Sequence, residues 1–254
     1  MTPEILNFKE ALSLLEEIST ESSFKYNLIS APPVTLKDLT SLHIKLLYNN
    51  LEGDQIFEKV FLDILKDILL DKNLICEELT VLDIISVAIK LRQRMSDEIT
   101  YVLSEESSLE VTIKISEFLD DINSRLLKAH QAINNKLIKY KDLTLELKVP
   151  TMWSYVNRNI TEPSEKELES FLLECTKFIN RLYFKEKNFK FNDNVPQENL
   201  QLLDLLPASL LQNLAFEILE FKNFLTEALT LKIKQNDKDY QILIEVNESL
   251  FFTD

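Results

Sequence analysis

The sequence predicts an α+β fold that is predominantly helical, an amphipathic helix bundle with small antiparallel strand pairs or hairpins. Apolar side chains recur every three or four residues through most of the chain, which is the spacing of one face of a helix. With 45% hydrophobic residues, the 254-residue chain can bury a substantial core. Short segments alternate apolar and polar residues instead, as half-buried strands do: 24–30, 109–115, 143–149, 229–235 and 240–246.

The first two predicted helices lie near the N-terminus. Pro3 suits a first helical turn, and an amphipathic pattern extends over residues 3–18. Thr35 is a suitable cap for a second helix that continues to about Asn50. The strand predicted between these helices stops at Pro32-Pro33, because proline cannot continue a strand ladder.

Two further helices follow, and the second is expected to be central. Residues 56–69 carry an apolar stripe wide enough to face a core. Thr80 and Asp83 form a capping-box pattern that opens a helix extending to about Arg94. This helix has so few polar positions that the sequence predicts its burial.

A long helix is predicted from Glu117 to Tyr140, between two strands. Its apolar positions form one narrow seam, and one neighbouring helix is sufficient to cover such a seam. That neighbour lies either in the same fold or on another chain, in which case the seam is a surface for a partner or for self-association. The seam residues are Phe118, Ile122, Leu126, Ala129, Ile133, Leu137 and Tyr140.

The C-terminal part is predicted to combine helices with a final hairpin. Pro163-Ser164 followed by Glu167 resembles a second capping box, and the helix that it opens is expected to reach Leu182. Residues 185–196 are polar and predict a loop. The remaining predicted elements are two helices, over 200–206 and 208–224, and then the final hairpin of strands 229–235 and 240–246.

The polar stretch 157–163 is the strongest candidate for a domain boundary. It divides an N-terminal helical part, 1–160, in which a strand pair flanks the long helix, from C-terminal helices and a hairpin, 161–254. Two capped helices joined by a loop inside a single domain produce the same pattern, so both organisations remain open.

Charge and targeting signals restrict the class of protein. The formal net charge of −14 repels polyanions, so nucleic acid and anionic membranes are not expected partners. The N-terminus lacks a secretory signal and no apolar run is long enough to span a bilayer, which predicts a cytoplasmic protein. Cys76 and Cys175 are far apart in apolar segments, so both are expected to be buried thiols.

The residue content argues against catalysis. Gly53 is the only glycine, whereas phosphate-binding loops and nucleophile elbows need several close together. His43 and His130 are isolated from other metal-ligating residues, and adjacent helical carboxylates point in different directions. We therefore expect no enzyme, catalytic residue, metal or cofactor. The alternative is an enzyme whose acidic site is assembled from distant residues.

Two clusters have competing explanations. Lys90, Arg92 and Arg94 end the buried helix, where they either complement its dipole or bind an anion. Trp153 lies beside Met152 and Tyr155, an aromatic group suited to packing in a core or against a partner, or to stacking a nucleic-acid base. The structural explanation is favoured for both clusters, since no basic groove is evident around the tryptophan.

Several segments, taken in order, resemble the baseplate hub assembly proteins of T4-type contractile-tailed phages. They are Pro32–Leu39, Leu79–Ile85, Lys90–Glu98, Leu143–Thr151, Leu202–Ser209 and the C-terminal hairpin up to Phe251-Phe252. The resemblance covers most of the chain after residue 24. The long helix resembles an insertion, and the cysteine pairs that some members carry beside strands are missing.

The resemblance implies a non-enzymatic assembly chaperone or hub component, made in the host cytoplasm during virion assembly. Retention in the finished baseplate is an alternative to release. The partners of such a protein would be other phage baseplate or hub proteins, with self-association as a further alternative. The resemblance implies no catalytic residue in this chain. A cytosolic helical adaptor unrelated to phage is the remaining alternative.

Overall fold

The computed structural model describes residue 9 and residues 22–51, 56–104, 109–156, 167–235 and 238–252. Apart from residue 9, which is helical, the predicted helix 3–18 lies outside these residues, as do Gly53 and the predicted boundary 157–163. The described part is a mixed α+β fold of helices and small antiparallel sheets, as the sequence predicts.

The N-terminal region corrects one predicted helix. Strand β1 (Ser23–Tyr26) pairs antiparallel with β2 (Val34–Lys37), so the segment that begins at Thr35 is a strand. Val34 and Leu36 are buried while their neighbours are half-exposed, which is a strand pattern. Helix α1 (Ser41–Asn50) begins later, after Thr40, whose backbone N–H donates to His43 Nδ1 at 3.0 Å.

The next helices agree with the sequence. Helix α2 (Phe57–Ile68) buries a broad apolar face, and a short 3-10 helix (Cys76–Glu78) leads to α3 (Val81–Met95). The predicted capping box is present: Asp83 N–H donates to Thr80 Oγ1 at 3.3 Å, and Thr80 N–H donates to Asp83 Oδ2 at 3.0 Å. As predicted, α3 is largely buried, because ten of its side chains lie in the core.

A hairpin follows, and half of it was not predicted. Strand β4 (Leu109–Lys114) matches the predicted strand, but its partner β3 (Glu98–Ser104) carried no prediction. Helix α4 (Ile115–Ile133) continues directly from β4 and is shorter than the predicted helix from Glu117 to Tyr140. Asn135 has φ of 62°, a left-handed conformation that asparagine tolerates better than most residues, and it ends the helical path.

A four-stranded antiparallel sheet corrects three further predictions. Residues after Asn135 form a strand, the predicted helix that opens at Glu167 ends at Thr176 instead of Leu182, and the predicted loop 185–196 contains a strand. The sheet order is β5 (Leu137–Tyr140), β6 (Leu143–Leu147), β7 (Ile179–Phe184), β8 (Lys187–Lys190).

Two tight turns join neighbouring strands of this sheet without glycine. Tyr140 pairs with Leu143, and Phe184 pairs with Lys187, so two residues close each turn. Lys141 and Lys185 adopt φ of 51° and 54° in these turns. A lysine in the left-handed region is unfavourable relative to glycine, so the turns are held by the pairing of the strands.

The C-terminal region is close to prediction. A short helix α5 (Met152–Val156) precedes α6 (Glu167–Thr176), and α7 (Pro196–Asp204) leads to α8. Helix α8 extends five residues beyond the predicted end. The remaining elements are α8 (Ala208–Leu229), the hairpin β9 (Thr230–Gln235) and β10 (Lys238–Leu243), and a 3-10 helix (Glu248–Phe251).

Helix α4 packs against α3 and α8, and one continuous set of buried apolar side chains extends from Tyr26 to Phe251. The final 3-10 helix packs on α1 and α3. Arg92 is almost fully buried and donates from Nε to the carbonyl of Leu250 at 2.9 Å. Its Nη1 and Nη2 atoms donate to the carbonyls of Ser96 and Glu98, so this side chain fastens the last described residues to the end of α3.

The ion pair between Asp38 and Arg94 predicts a pH dependence. Arg94 Nη2 lies 2.6 Å from Asp38 Oδ2, and its hydrogen bonds lower the pKa of the Asp38 carboxyl from its ordinary value. A lowered folded-state pKa stabilises the fold above the unfolded value, near pH 4, and this contribution is lost as the pH falls through the folded value. Asp38→Asn is therefore expected to lower Tm at pH 6 and to have less effect at pH 3.

Thermal melts of wild type and Asp38→Asn across this pH range measure the difference directly. Asp63→Asn, on the exposed face of α2, is the matched control, and its Tm is expected to follow that of the wild type throughout. A wild-type advantage over Asp38→Asn that stays constant from pH 6 to pH 3 contradicts the assignment.

Candidate functional site

The two histidines have separate structural surroundings. His43 Nδ1 accepts the Thr40 N–H, so Nε2 carries the hydrogen that faces Asp67 Oδ2 at 2.8 Å. His130 is half-buried on α4, where burial lowers its pKa. Within the described ranges, His, Cys, Asp and Glu side chains form no group of three or more that is placed to hold a metal ion.

The predicted seam on the long helix is core in the folded chain. Ile122, Leu126, Ala129 and Ile133 are at most 1% exposed on α4, which packs on α3 and α8. This is the intramolecular alternative, and it corrects the partner-surface hypothesis for these four positions. Of the other three, Phe118 is half-buried on α4 and packs against the same core. Tyr140 also packs against the core but lies on β5, as does Leu137, which is 52% exposed.

Basic residues at the end of α3 serve the fold. Arg92 fastens the C-terminal 3-10 helix through carbonyl groups, as described above. Arg94 pairs with Asp38, and its guanidinium lies over the Phe24 ring, 4.9 Å from the centroid. These contacts agree with the structural explanation of this cluster. The guanidinium groups of Arg92 and Arg94 are occupied by partners within the chain.

A buried polar network joins β1, α3 and α4. Tyr26 Oη lies 2.6 Å from Ser86 Oγ and accepts a hydrogen bond from Asn123 Nδ2 at 2.9 Å. Burial raises the pKa of the Tyr26 hydroxyl. The network is closed, since Ser86 Oγ also donates to Asn123 Oδ1 at 2.7 Å, and it fixes the three elements relative to one another.

A groove of about 820 Å³ lies beside the four-stranded sheet. A β-bridge between Thr80 and Thr151 places the start of α5 at its edge. Lys148 Nζ and Asp193 Oδ2 pair at 2.6 Å with little exposure, and the Trp153 indole N–H donates to Asn194 Oδ1. The lining residues are Ile75, Glu77, Glu78, Lys148, Thr151, Trp153, Asn180, Lys190, Phe191, Asn192, Asp193 and Asn194.

The lining of this groove is strongly polar. It combines the carboxylates of Glu77, Glu78 and Asp193 with the amines of Lys148 and Lys190, and it contains neither histidine nor cysteine. Met152 is fully buried, and Tyr155 lies under the Lys177 ammonium at 4.0 Å from the ring centroid. The cluster around Trp153 is therefore split between the core, the groove and a cation–π contact.

An exposed apolar face on α1 was not anticipated as a surface. Leu42 is 61% exposed and Leu46 is 43% exposed, although both belonged to the apolar stripe from which the second helix was predicted. The buried residues of α1 are His43, Leu47 and Asn50, so the helix turns this side inward and leaves Leu42 and Leu46 outside.

Comparisons of the chain with protein-family models, with curated proteins and with solved structures find no match. Among the described helices, none combines the length and the apolar content needed to cross a bilayer.

Proposed function

We propose that this chain is a non-enzymatic assembly factor for the baseplate hub of a T4-type contractile-tailed phage, an assembly chaperone or hub component that acts through contacts with other baseplate or hub proteins. The support is the ordered set of segments that resemble this family. Pro32–Leu39 corresponds to β2 and the approach to α1, and the segments within Leu79–Glu98 correspond to α3 and its flanks. Assembly would take place in the cytoplasm of the infected cell.

The observation that carries the proposal is the exposed apolar face of α1. Leu42 and Leu46 are one helical turn apart, so they lie on the same side of the helix. Exposed apolar side chains arranged along a helix are the usual anchors for a groove on another protein. The segment that resembles the phage family, Pro32–Leu39, ends just before this helix begins at Ser41, so the proposed docking face adjoins that segment.

The α1 face gives a direct test. The variant Leu42→Glu/Leu46→Glu is expected to lose co-purification with hub proteins from infected cells, because charged side chains cannot enter an apolar groove without losing hydration. Its Tm is expected to stay near that of wild type, since both leucines are exposed. Tagged chains are recovered from infected cells, and the co-purifying proteins are identified by mass spectrometry.

The matched control is Leu127→Glu/Leu243→Glu, which places the same charges on two exposed leucines of other elements. It is expected to retain the hub proteins at the wild-type level. If wild type recovers cellular proteins and no tail protein, the chain is an adaptor unrelated to phage assembly. If both double variants retain the hub proteins equally, the α1 face is not the docking site.

A further inference from the structure

The outward face of α8 carries an uncharged stripe. Phe216 is 65% exposed and Leu219 is 57% exposed, although α8 contributes its opposite face to the core. The stripe spans residues 209–223, roughly 21 Å of a helix that is about 33 Å long. Its six members are exposed and carry no charge: Ser209, Gln212, Asn213, Phe216, Leu219 and Asn223.

The charged residues that flank this stripe have partners within the chain. Lys136 pairs with Glu217 and lies 3.6 Å from Glu220. Lys222 lies 3.8 Å from Glu174 on α6. The stripe is therefore a place where two copies of a chain with net charge −14 can approach with little mutual repulsion.

The order of residues along the stripe is self-complementary. A twofold axis that passes between Glu217 and Ile218 places Phe216 opposite Leu219 of the second copy. The same axis places Gln212 opposite Asn223, and Ser209 opposite Thr226, an exposed residue just beyond the stripe, so amide faces amide and hydroxyl faces hydroxyl. The remaining member, Asn213, lies opposite Lys222 of the second copy. Twofold dimers require this property, because a single patch must complement itself.

The two ends of α8 are electrostatically complementary in an antiparallel pair. Pro207 caps the helix without a side-chain hydrogen bond, and the first turn contains no acidic residue. Neither a capping side chain nor an acidic side chain therefore compensates the positive end of the helix dipole. The same twofold axis places the exposed Glu227 of one copy beside Ala208 at the start of the other helix, where a carboxylate is favourable.

From these observations we infer that α8 is the interface of an antiparallel homodimer, in which Phe216 and Leu219 of two copies interdigitate about a twofold axis. The inference does not depend on the phage assignment. One helix face is smaller than the roughly 800 Å² per partner that stable complexes bury, so the expected dimer is reversible, with a Kd in the micromolar range. The intact chain is expected to be monomeric when dilute and dimeric at high concentration.

Sedimentation velocity over a concentration series tests the interface. Leu219→Glu is expected to weaken association at least tenfold, because two buried carboxylates would approach each other across the axis. Leu243→Glu is the matched control: Leu243 is 46% exposed on β10, outside both proposed surfaces, and its replacement is expected to leave the Kd unchanged.

A second pair of variants tests the antiparallel register. Gln212→Glu/Asn223→Lys keeps the net charge and places opposite charges across the axis twice, so the Kd is expected to tighten about threefold to tenfold. Gln212→Glu/Asn223→Glu places like charges there, and its Kd is expected to rise. Because the two positions are about 16 Å apart along one helix, neither variant creates a pair within a single chain.

Three results overturn the inference. A wild-type chain that remains monomeric at several hundred micromolar has no such interface. If that monomer is also destabilised by Leu219→Glu and not by Leu243→Glu, the stripe is covered by another segment of the same chain. If wild type dimerises and Leu219→Glu dimerises equally well, or both Gln212/Asn223 double variants shift the Kd in the same direction, the dimer uses another surface or register.

Discussion

The Leu126→Asp variant is expected to lose about 4 kcal/mol or more of unfolding free energy, enough to unfold much of the population at 25 °C. Leu126 is fully buried on α4, the helix that packs against both α3 and α8. Aspartate at this position removes apolar contacts and buries a carboxylate without a designed partner. Urea unfolding followed by circular dichroism measures the change as a lower midpoint.

The neighbouring residue supplies the control. Leu127 lies on the same helix and is 41% exposed, so Leu127→Asp is expected to change the unfolding free energy by less than about 1 kcal/mol. Both variants replace leucine by aspartate within α4, so the two substitutions cost nearly the same helix propensity. Equal midpoints for the two variants would show that the face of α4 carrying Leu126 is not in the core.

Asp83→Asn is expected to cost about 3–5 kcal/mol, because the Asp83 carboxylate organises three backbone groups. Its Oδ1 accepts the N–H groups of Ile29 and Ser30 at 2.7 and 2.8 Å, and its Oδ2 accepts the N–H of Thr80. The side chain is fully buried. An asparagine has one acceptor oxygen in place of two, so its amide hydrogens would face at least one backbone donor.

Urea denaturation of Asp83→Asn measures this loss, and Asp204→Asn, exposed on α7, provides the control. The control is expected to lie within about 0.5 kcal/mol of wild type. Hydrogen exchange adds a local test, since the amides of Ile29 and Ser30 are expected to lose protection in Asp83→Asn. Unchanged protection of those amides would mean that the carboxylate does not hold the β1–β2 connection.

The elements that local chemistry determines were predictable. Thr80 and Asp83 cap α3 through side-chain hydrogen bonds that the sequence itself contains, and the apolar content of that helix requires burial whatever its neighbours are. The final hairpin was likewise predicted, because its alternation and its turn residues lie within one short segment. The mixed fold class followed from these local patterns.

Of the four-stranded sheet only β6 was predicted, by the strand pattern over 143–149, because β5 and β7 also satisfy a helical period. Leu137 continues the four-residue step from Ile133, yet Ile138 is the buried residue and Leu137 faces outward. Leu182 likewise continues the helical series of the preceding segment, whereas in the fold it pairs with Leu145 on β6. Pairing between segments overrides local periodicity. Asn134-Asn135 was the one local signal for the break.

The surfaces were harder to predict than the core. An apolar stripe identifies a helix face that must be covered, but the identity of the covering element is a tertiary fact. The stripe on α4 is covered by neighbouring helices of the same chain, whereas Phe216 and Leu219 remain exposed on a helix that also has a buried face. Periodicity therefore located apolar positions in both helices without distinguishing interior from surface.

The packing around α1 and α2 depends on residues that are synthesised last among those described. Tyr48 meets Phe252 edge-on with ring centroids 5.6 Å apart, and the rings of Phe61 and Phe251 lie 6.1 Å apart. These aromatic side chains leave the ribosome after every other described element, although they complete the packing around α1 and α2. A nascent chain therefore carries apolar surface on its first helices until translation has passed residue 252. Folding of the N-terminal third is then linked to synthesis of Phe251 and Phe252, and a product truncated before them would display this surface to cellular chaperones.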